Sequence, residues 1–294
     1  MRAKLLTGVA AAGGMVTCLL VAASTSSAVS PTTSRLYFDS ARGGRYQIYV
    51  KNPCCTAHVS VHDSGGDDFA PAMSPGGKDL AFTRRVNGNY DIYLNPTGST
   101  RIFRLTRNAA IDAFPSWSPS GTIAFESNRA GGNWDVYVYD GGSVKRITSA
   151  SKVDGLPAFS PDGGQIAFDS NRSGSYQIMV IPAGGGTATA LTADAGTQNV
   201  QPEWSPDGTR IAFSSNRSGT YQIYVLNVST LAVTRITHDS ANDYQPNWSR
   251  DGTKIAYASN SGDSARLSMV NPDGTDPVRM STQSGELPDW GLRS

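Results

Sequence analysis

The stretch PEWSPDGTRIAFSSNRSGTYQIYV at 202–225, with VTRITHDSANDYQ at 233–245 after a short turn, decides the fold. The segment running through Trp204 reads as a first strand. Ser-Pro-Asp-Gly at 205–208 reads as a tight turn, proline fixing φ at its first corner and glycine taking the positive-φ position. Ile211, Ala212 and Phe213 form a second strand, apolar on both faces as a strand covered on each side must be. Asn216, Arg217, Ser218 and Gly219 make the next loop, 221–225 a third strand and 233–237 an outermost fourth.

Working outward, the pattern Pro-x-(Trp/Phe/Met)-Ser recurs at Pro71, Pro115, Pro157, Pro202 and Pro246, at spacings of 44, 42, 45 and 44 residues. Four strands in forty-odd residues is the size of a propeller blade, whose sheet cannot cover its own apolar faces and must stack on neighbours. The two ends of the chain look like halves of one further unit. Arg35-Leu-Tyr-Phe-Asp-Ser40 matches the second strand, and Leu287-Pro288-Asp289-Trp290 matches the first. The expectation is an all-β, six-bladed β-propeller of four-stranded antiparallel blades, its ring closed by N- and C-terminal strands sharing one blade, leaving no unpaired inner edge.

The repeat also carries a family resemblance. SPDG at 160–163 and 205–208, IAFDSNRSG at 166–174, IAFSSNRSG at 211–219 and YQIYV at 221–225 resemble the WD-related repeats of the TolB family. The resemblance extends over the chain beyond its leader and implies the six-bladed fold and a role in holding other proteins. TolB proper carries an additional N-terminal domain, for which few residues stand ahead of the first strand here, so a Tol-Pal role does not follow.

Met-Arg-Ala-Lys, an apolar stretch from Leu5 to Ala23, and Ser-Ser-Ala at 26–28 form a signal-peptide pattern. The expected division is a leader at 1–28 and a propeller at 29–294, with export to the periplasm or the extracellular space and no lasting membrane insertion. Without the leader, 23 basic residues face 24 acidic ones, and the Lys and Arg are scattered singly rather than in the stripe a nucleic-acid binder needs. The 31 glycines and 16 prolines suit a turn-rich β protein. Beyond the leader the cysteines are Cys54 and Cys55, adjacent and so poorly placed for an ordinary disulfide.

For binding, the loop before each first strand and the loop between strands two and three should share the face at the mouth of the central channel. Asp68, Asp112, Asp154, Asn199 and Asp243 stand three residues before each proline. They could ring that mouth for a cation or polar ligand, or each could serve its own blade by capping a turn. Arg129, Arg172 and Arg217 of the Ser-Asn-Arg loops could grip a partner's carboxylates or pair with those repeated acids. What differs between blades should set specificity: immediately before the prolines stand Ala70, Phe114, Leu156, Gln201, Gln245 and Leu287, and Phe114, Leu156 and Leu287 would make part of the mouth apolar.

Catalytic patterns are absent from the sequence. There is no nucleophile elbow, and Gly262-Asp-Ser-Ala-Arg266 lacks its second glycine. No phosphate-binding glycine loop follows a strand. His58 and His62 would project from one strand face about 13 Å apart, too far for one metal ion, and His238 lies in another repeat. Four of the five tryptophans, Trp117, Trp204, Trp248 and Trp290, fill the packing slot of the repeat and Trp134 replaces a repeat tyrosine. The sequence therefore predicts a monomeric, non-enzymatic, cofactor-free scaffold for a protein or peptide. The competing reading is a binder or metal-dependent lyase of extracellular polysaccharide.

Overall fold

A computed structural model describes residues 18–21, 35–40, 45–51, 59–60, 66–96, 99–260 and 265–280. Every regular element among them is a β-strand. Five blades, each of four antiparallel strands, follow in chain order. They are β5 (Asp67–Met73) to β8 (Phe103–Arg104), with β6 (Asp79–Val86) and β7 (Asn89–Pro96), then β9 (Asp112–Trp117), β10 (Ile123–Ala130), β11 (Asn133–Asp140) and β12 (Ser143–Arg146). Next come β13 (Asp154–Phe159), β14 (Gln165–Ser170), β15 (Gln177–Pro182) and β16 (Thr189–Ala190), and β17 (Asn199–Trp204), β18 (Arg210–Ser218), β19 (Thr220–Asn227) and β20 (Val233–Arg235). The last is β21 (Asn242–Trp248), β22 (Ile255–Asn260), β23 (Ala265–Val270) and β24 (Val278–Arg279).

This corrects the expected architecture. The repeat builds five blades, not six, and the closure differs from the one read from the chain ends. A further four-stranded sheet stands between the first and last blades, ordered β1 (Cys18–Val21), β2 (Arg35–Ser40), β3 (Gln47–Lys51) and β4 (Val59–Ser60). Its inner strand comes from the apolar N-terminal stretch, with Leu19 opposite Tyr37 and Val21 opposite Arg35. The segment 287–290, assigned that slot from its sequence, lies outside the described residues, as do Cys54, Cys55, His58 and His62. The physical reason is that β2 offers backbone donors and acceptors that any extended segment can pair, so likeness to the repeat does not identify the partner.

The core is a series of layers between adjacent sheets. Phe82, Phe125, Phe168 and Phe213, from the second strand of four blades, are all fully buried. One such layer joins Ile166, Phe168 and Met179 to Val136 and Ala124 of the blade before, and another joins Ile211, Phe213 and Leu226 to Ile178 and Ala167. Leu36 and Phe38 pack on Ala256 and Leu267, while Tyr37 and Ile48 pack on Leu80 and Phe82, so the sheet of β1 to β4 is wedged between the last blade and the first. Apolar residues on both strand faces are thus used in full.

The Ser-Pro-Asp-Gly turns are locked by their own side chains. Ser205 Oγ donates to Asp207 Oδ1 at 2.5 Å and receives the Arg210 N–H at 2.9 Å. Hydrogen bonds from Ser205 and Thr209 hold the Asp207 carboxyl down at about 2. Gly208 has φ of +70°, and a Cβ there would lie 3.3 Å from Pro161 of the preceding blade. A side chain there would be strained by the backbone conformation and would require Pro161 of the neighbouring blade to give way by a few tenths of an ångström.

Candidate functional site

Each innermost strand carries a bulge at the residue before its proline. Ala70, Phe114, Leu156, Gln201 and Gln245 all have positive φ, between 48° and 60°, although none is glycine. The ladder slips at each of them, between Phe69 and Ala72 in the first blade and between Val200 and Glu203 in the fourth. A left-handed non-glycine residue costs on the order of 1 kcal/mol and persists only where the surroundings hold it. Here the preceding blade holds it. The bulge N–H of Phe114 donates to Thr83 Oγ1 at 3.0 Å, that of Leu156 to Glu126 Oε2 at 2.8 Å and that of Gln201 to Asp169 Oδ2 at 3.2 Å. In the last blade the acceptor is Gln201 Oε1, 3.0 Å from the Gln245 nitrogen, and Ser214 donates to the same oxygen.

In the first four blades the repeated acids, or the amide of Asn199, come together with an arginine of the same blade. Asp68, Asp112, Asp154, Asn199 and Asp243 have no exposed surface. Arg129 donates to Asp112 at 2.6 Å and Arg172 to both oxygens of Asp154 at 2.8 and 2.9 Å. Arg217 donates to Asn199 at 3.1 Å and to Asp194 at 2.8 Å. In the first blade Arg84 takes this role, gripping Asp68 through Nε at 2.6 Å. Each arginine also lies over the phenylalanine of its second strand, at 5.0 to 5.5 Å from Phe82, Phe125, Phe168 and Phe213. Paired, stacked and partly covered, these guanidinium groups are largely committed to the fold.

The last blade breaks the pattern. Asp243 is buried, and neither carboxylate oxygen has a donor in hydrogen-bond geometry among the described residues. Burial raises its pKa to about 6, with the nearby Thr237 and Ser259 hydroxyls pulling the other way. Among the described residues, no three His, Cys, Asp or Glu side chains gather as a metal site would need. His238 is exposed.

The inner strands enclose a channel of about 450 Å³. Phe114, Leu156, Gln201 and Gln245 line it from the bulges, and Trp117, Trp204 and Trp248 from the next turn of each strand. Two charged side chains also line it, Glu203 and Arg250. Arg250 stands where the other turns have proline and reaches the Ser74 carbonyl at 3.0 Å. Burial lowers its pKa, and no carboxylate among the described residues compensates it. Glu203 occupies the variable position of Pro-x-Trp, filled elsewhere by Ala72, Ser116, Ala158 and Asn247. Burial alone pushes its carboxyl up to about 8. No described group hydrogen-bonds it. Sequence reasoning passed over both residues because it weighed recurring positions, and these two matter through departing from the repeat.

Radially stacked sheets around a lined channel define a β-propeller. The chain belongs to the TolB beta propeller domain family, whose model matches residues 22–145 and 193–289. The chain is similar to TolB from Acinetobacter baumannii, with 25% identity and a TM-score of 0.77 over 89% of this chain and 67% of that one. An oligogalacturonate lyase in complex with manganese shares the fold at 15% identity and a TM-score of 0.62, over 90% of this chain and 78% of that one. A puromycin-hydrolyzing peptidase of Mycobacterium tuberculosis does so at 16% and 0.65, over 94% of this chain and 45% of that one. No curated protein sequence matches the chain.

Proposed function

We propose that this protein is a non-enzymatic scaffold that holds another protein or a peptide at the channel-mouth face of the propeller, and that it works outside the cytoplasm. The observation that carries the reading is the channel wall. Its framework repeats while its lining does not, with Phe114 and Leu156 on one part and Gln201 and Gln245 on another. A surface that mixes apolar anchors with amides and keeps a rigid backbone is suited to recognising a polypeptide. Family membership supports the same reading by analogy of fold, which by itself does not fix function.

A photo-crosslinking residue placed at Phe114 should give one discrete adduct with a protein of the extracytoplasmic fraction. The same residue at Phe103, exposed on the outer strand β8, should give none. Equal yields at the two positions, or none at Phe114, would overturn the proposal. Export follows from the leader pattern at 1–28, whose removal would take β1 with it. N-terminal sequencing of the protein recovered outside the cytoplasm distinguishes a chain starting near Val29 from one that retains Cys18 to Val21.

A further inference from the structure

The channel holds polar groups that the fold leaves unused. Glu203 and Trp204 come from β17, Gln245 and Trp248 from the neighbouring β21, and all four line the same cavity. The Gln245 Oε1 acceptor and the indole N–H groups of Trp204 and Trp248 are buried without partners among the described residues. The equivalent indole of Trp117 does find one, donating to the Ala72 carbonyl at 2.9 Å. Two acceptors, one of them ionisable, thus line one cavity, while the two indoles pack in successive layers between blades, Trp204 against Ala158 and Ile178 and Trp248 against Ala212 and Ile223.

We infer that these two acceptors bind a primary ammonium group of a peptide, with Glu203 as its counter-ion and Gln245 Oε1 as a second acceptor. A carboxylate partly withdrawn from water in the channel wall is unfavourable alone and is relieved by a cation brought into contact with it. An anion would meet Glu203 at a cost, and a neutral ligand would leave its carboxyl unused. The ammonium belongs either to a lysine side chain or to a chain's own N-terminus. The inference rests on the polypeptide-binding reading above and names the chemistry of that site.

The test is a titration of tryptophan fluorescence and heat with three probes: N-acetyl-lysine methylamide, leucinamide, and neutral N-acetyl-norleucine methylamide. Either amine should bind and the neutral probe should not, and the stronger amine identifies the source of the ammonium. Glu203→Gln should weaken amine binding at least tenfold, with an unchanged far-ultraviolet spectrum showing that the variant is folded. Since burial pushes the Glu203 carboxyl up to about 8, binding at pH 7 should release a proton, read as a heat that differs between phosphate and Tris buffers. Affinity for the lysine probe should therefore rise between pH 6 and pH 8, whereas leucinamide, whose α-amino group titrates at about 8, should gain less over the same range. Arg250, the other charged lining residue, stays protonated throughout this range. Equal binding of the neutral probe, no binding by either amine, or full amine affinity in Glu203→Gln would overturn the inference. If the adduct at position 114 forms equally in Glu203→Gln, the scaffold reading stands and the ammonium site falls. Amine binding without any adduct is the reverse result.

Discussion

The backbone N–H of Gln245 donates to the side-chain oxygen of Gln201 at 3.0 Å, joining two residues that occupy the same place in consecutive repeats, 44 residues apart. The bond seats a left-handed residue of one blade on the residue before the proline of its neighbour, so bulge and ring depend on each other. Elsewhere the acceptor comes from the second strand of the preceding blade, from Thr83, Glu126 or Asp169. Beside Gln245 that position is Ser214, whose hydroxyl instead donates to Gln201 Oε1.

Gln201→Leu removes this acceptor and leaves the Gln245 N–H and the Ser214 hydroxyl without it. An unmet buried donor costs about 1–3 kcal/mol, so the variant should lose stability of that order in urea unfolding. Gln201→Glu keeps an acceptor at the same place and should lose less. Equal losses would separate the residue from the hydrogen bond.

Arg129→Ala and Arg217→Ala should differ. Removing Arg129 strands Asp112, which has no exposed surface, and loss of one member of a buried pair costs about 3 kcal/mol or more. Removing Arg217 leaves the neutral Asn199 and an Asp194 whose side chain is 44% exposed, and a pair of that kind contributes about 1 kcal/mol at most. Guanidinium melts of the two variants, each also losing its stacking on a phenylalanine, should rank Arg129→Ala as clearly the less stable.

Asp243→Asn should stabilise the protein at pH 8 and change little at pH 4. The folded carboxyl titrates at about 6, above its ordinary value of 3.8, so its favourable protonated state is present below about pH 4 and is lost as the pH rises through 6. The gain at pH 8 should be about 3 kcal/mol, the free energy of a shift of roughly two units. Asp112→Asn, whose parent pairs with Arg129, should instead destabilise at pH 8. Thermal melts of both variants at the two pH values check the sign.

Much of the fold was legible because a blade is a local object. The turn at 205–208, the doubly apolar second strand and the forty-odd-residue period each reflect constraints that act within one repeat, and the positions of β5 to β24 follow them. The pairing of the Ser-Asn-Arg arginines with the repeated acids was one of the two alternatives those residues offered, and Arg129 with Asp112 and Arg172 with Asp154 take it. Arg84 replaces the loop arginine in the first blade from a different position, a substitution in space that alignment of the repeat does not reveal.

What the sequence determined alone was the blade: strand order, turn chemistry and the two apolar faces that demand neighbours. Only the tertiary structure decided how the ring is completed and what the channel contains. A strand edge recognises backbone, so β2 pairs with 18–21 on grounds no side-chain pattern encodes. Glu203, Gln245 and the two indoles acquire a common character only when β17 and β21 are brought side by side around one cavity. Burial and the absence of a partner are properties of the assembled wall, and a string of repeats carries neither.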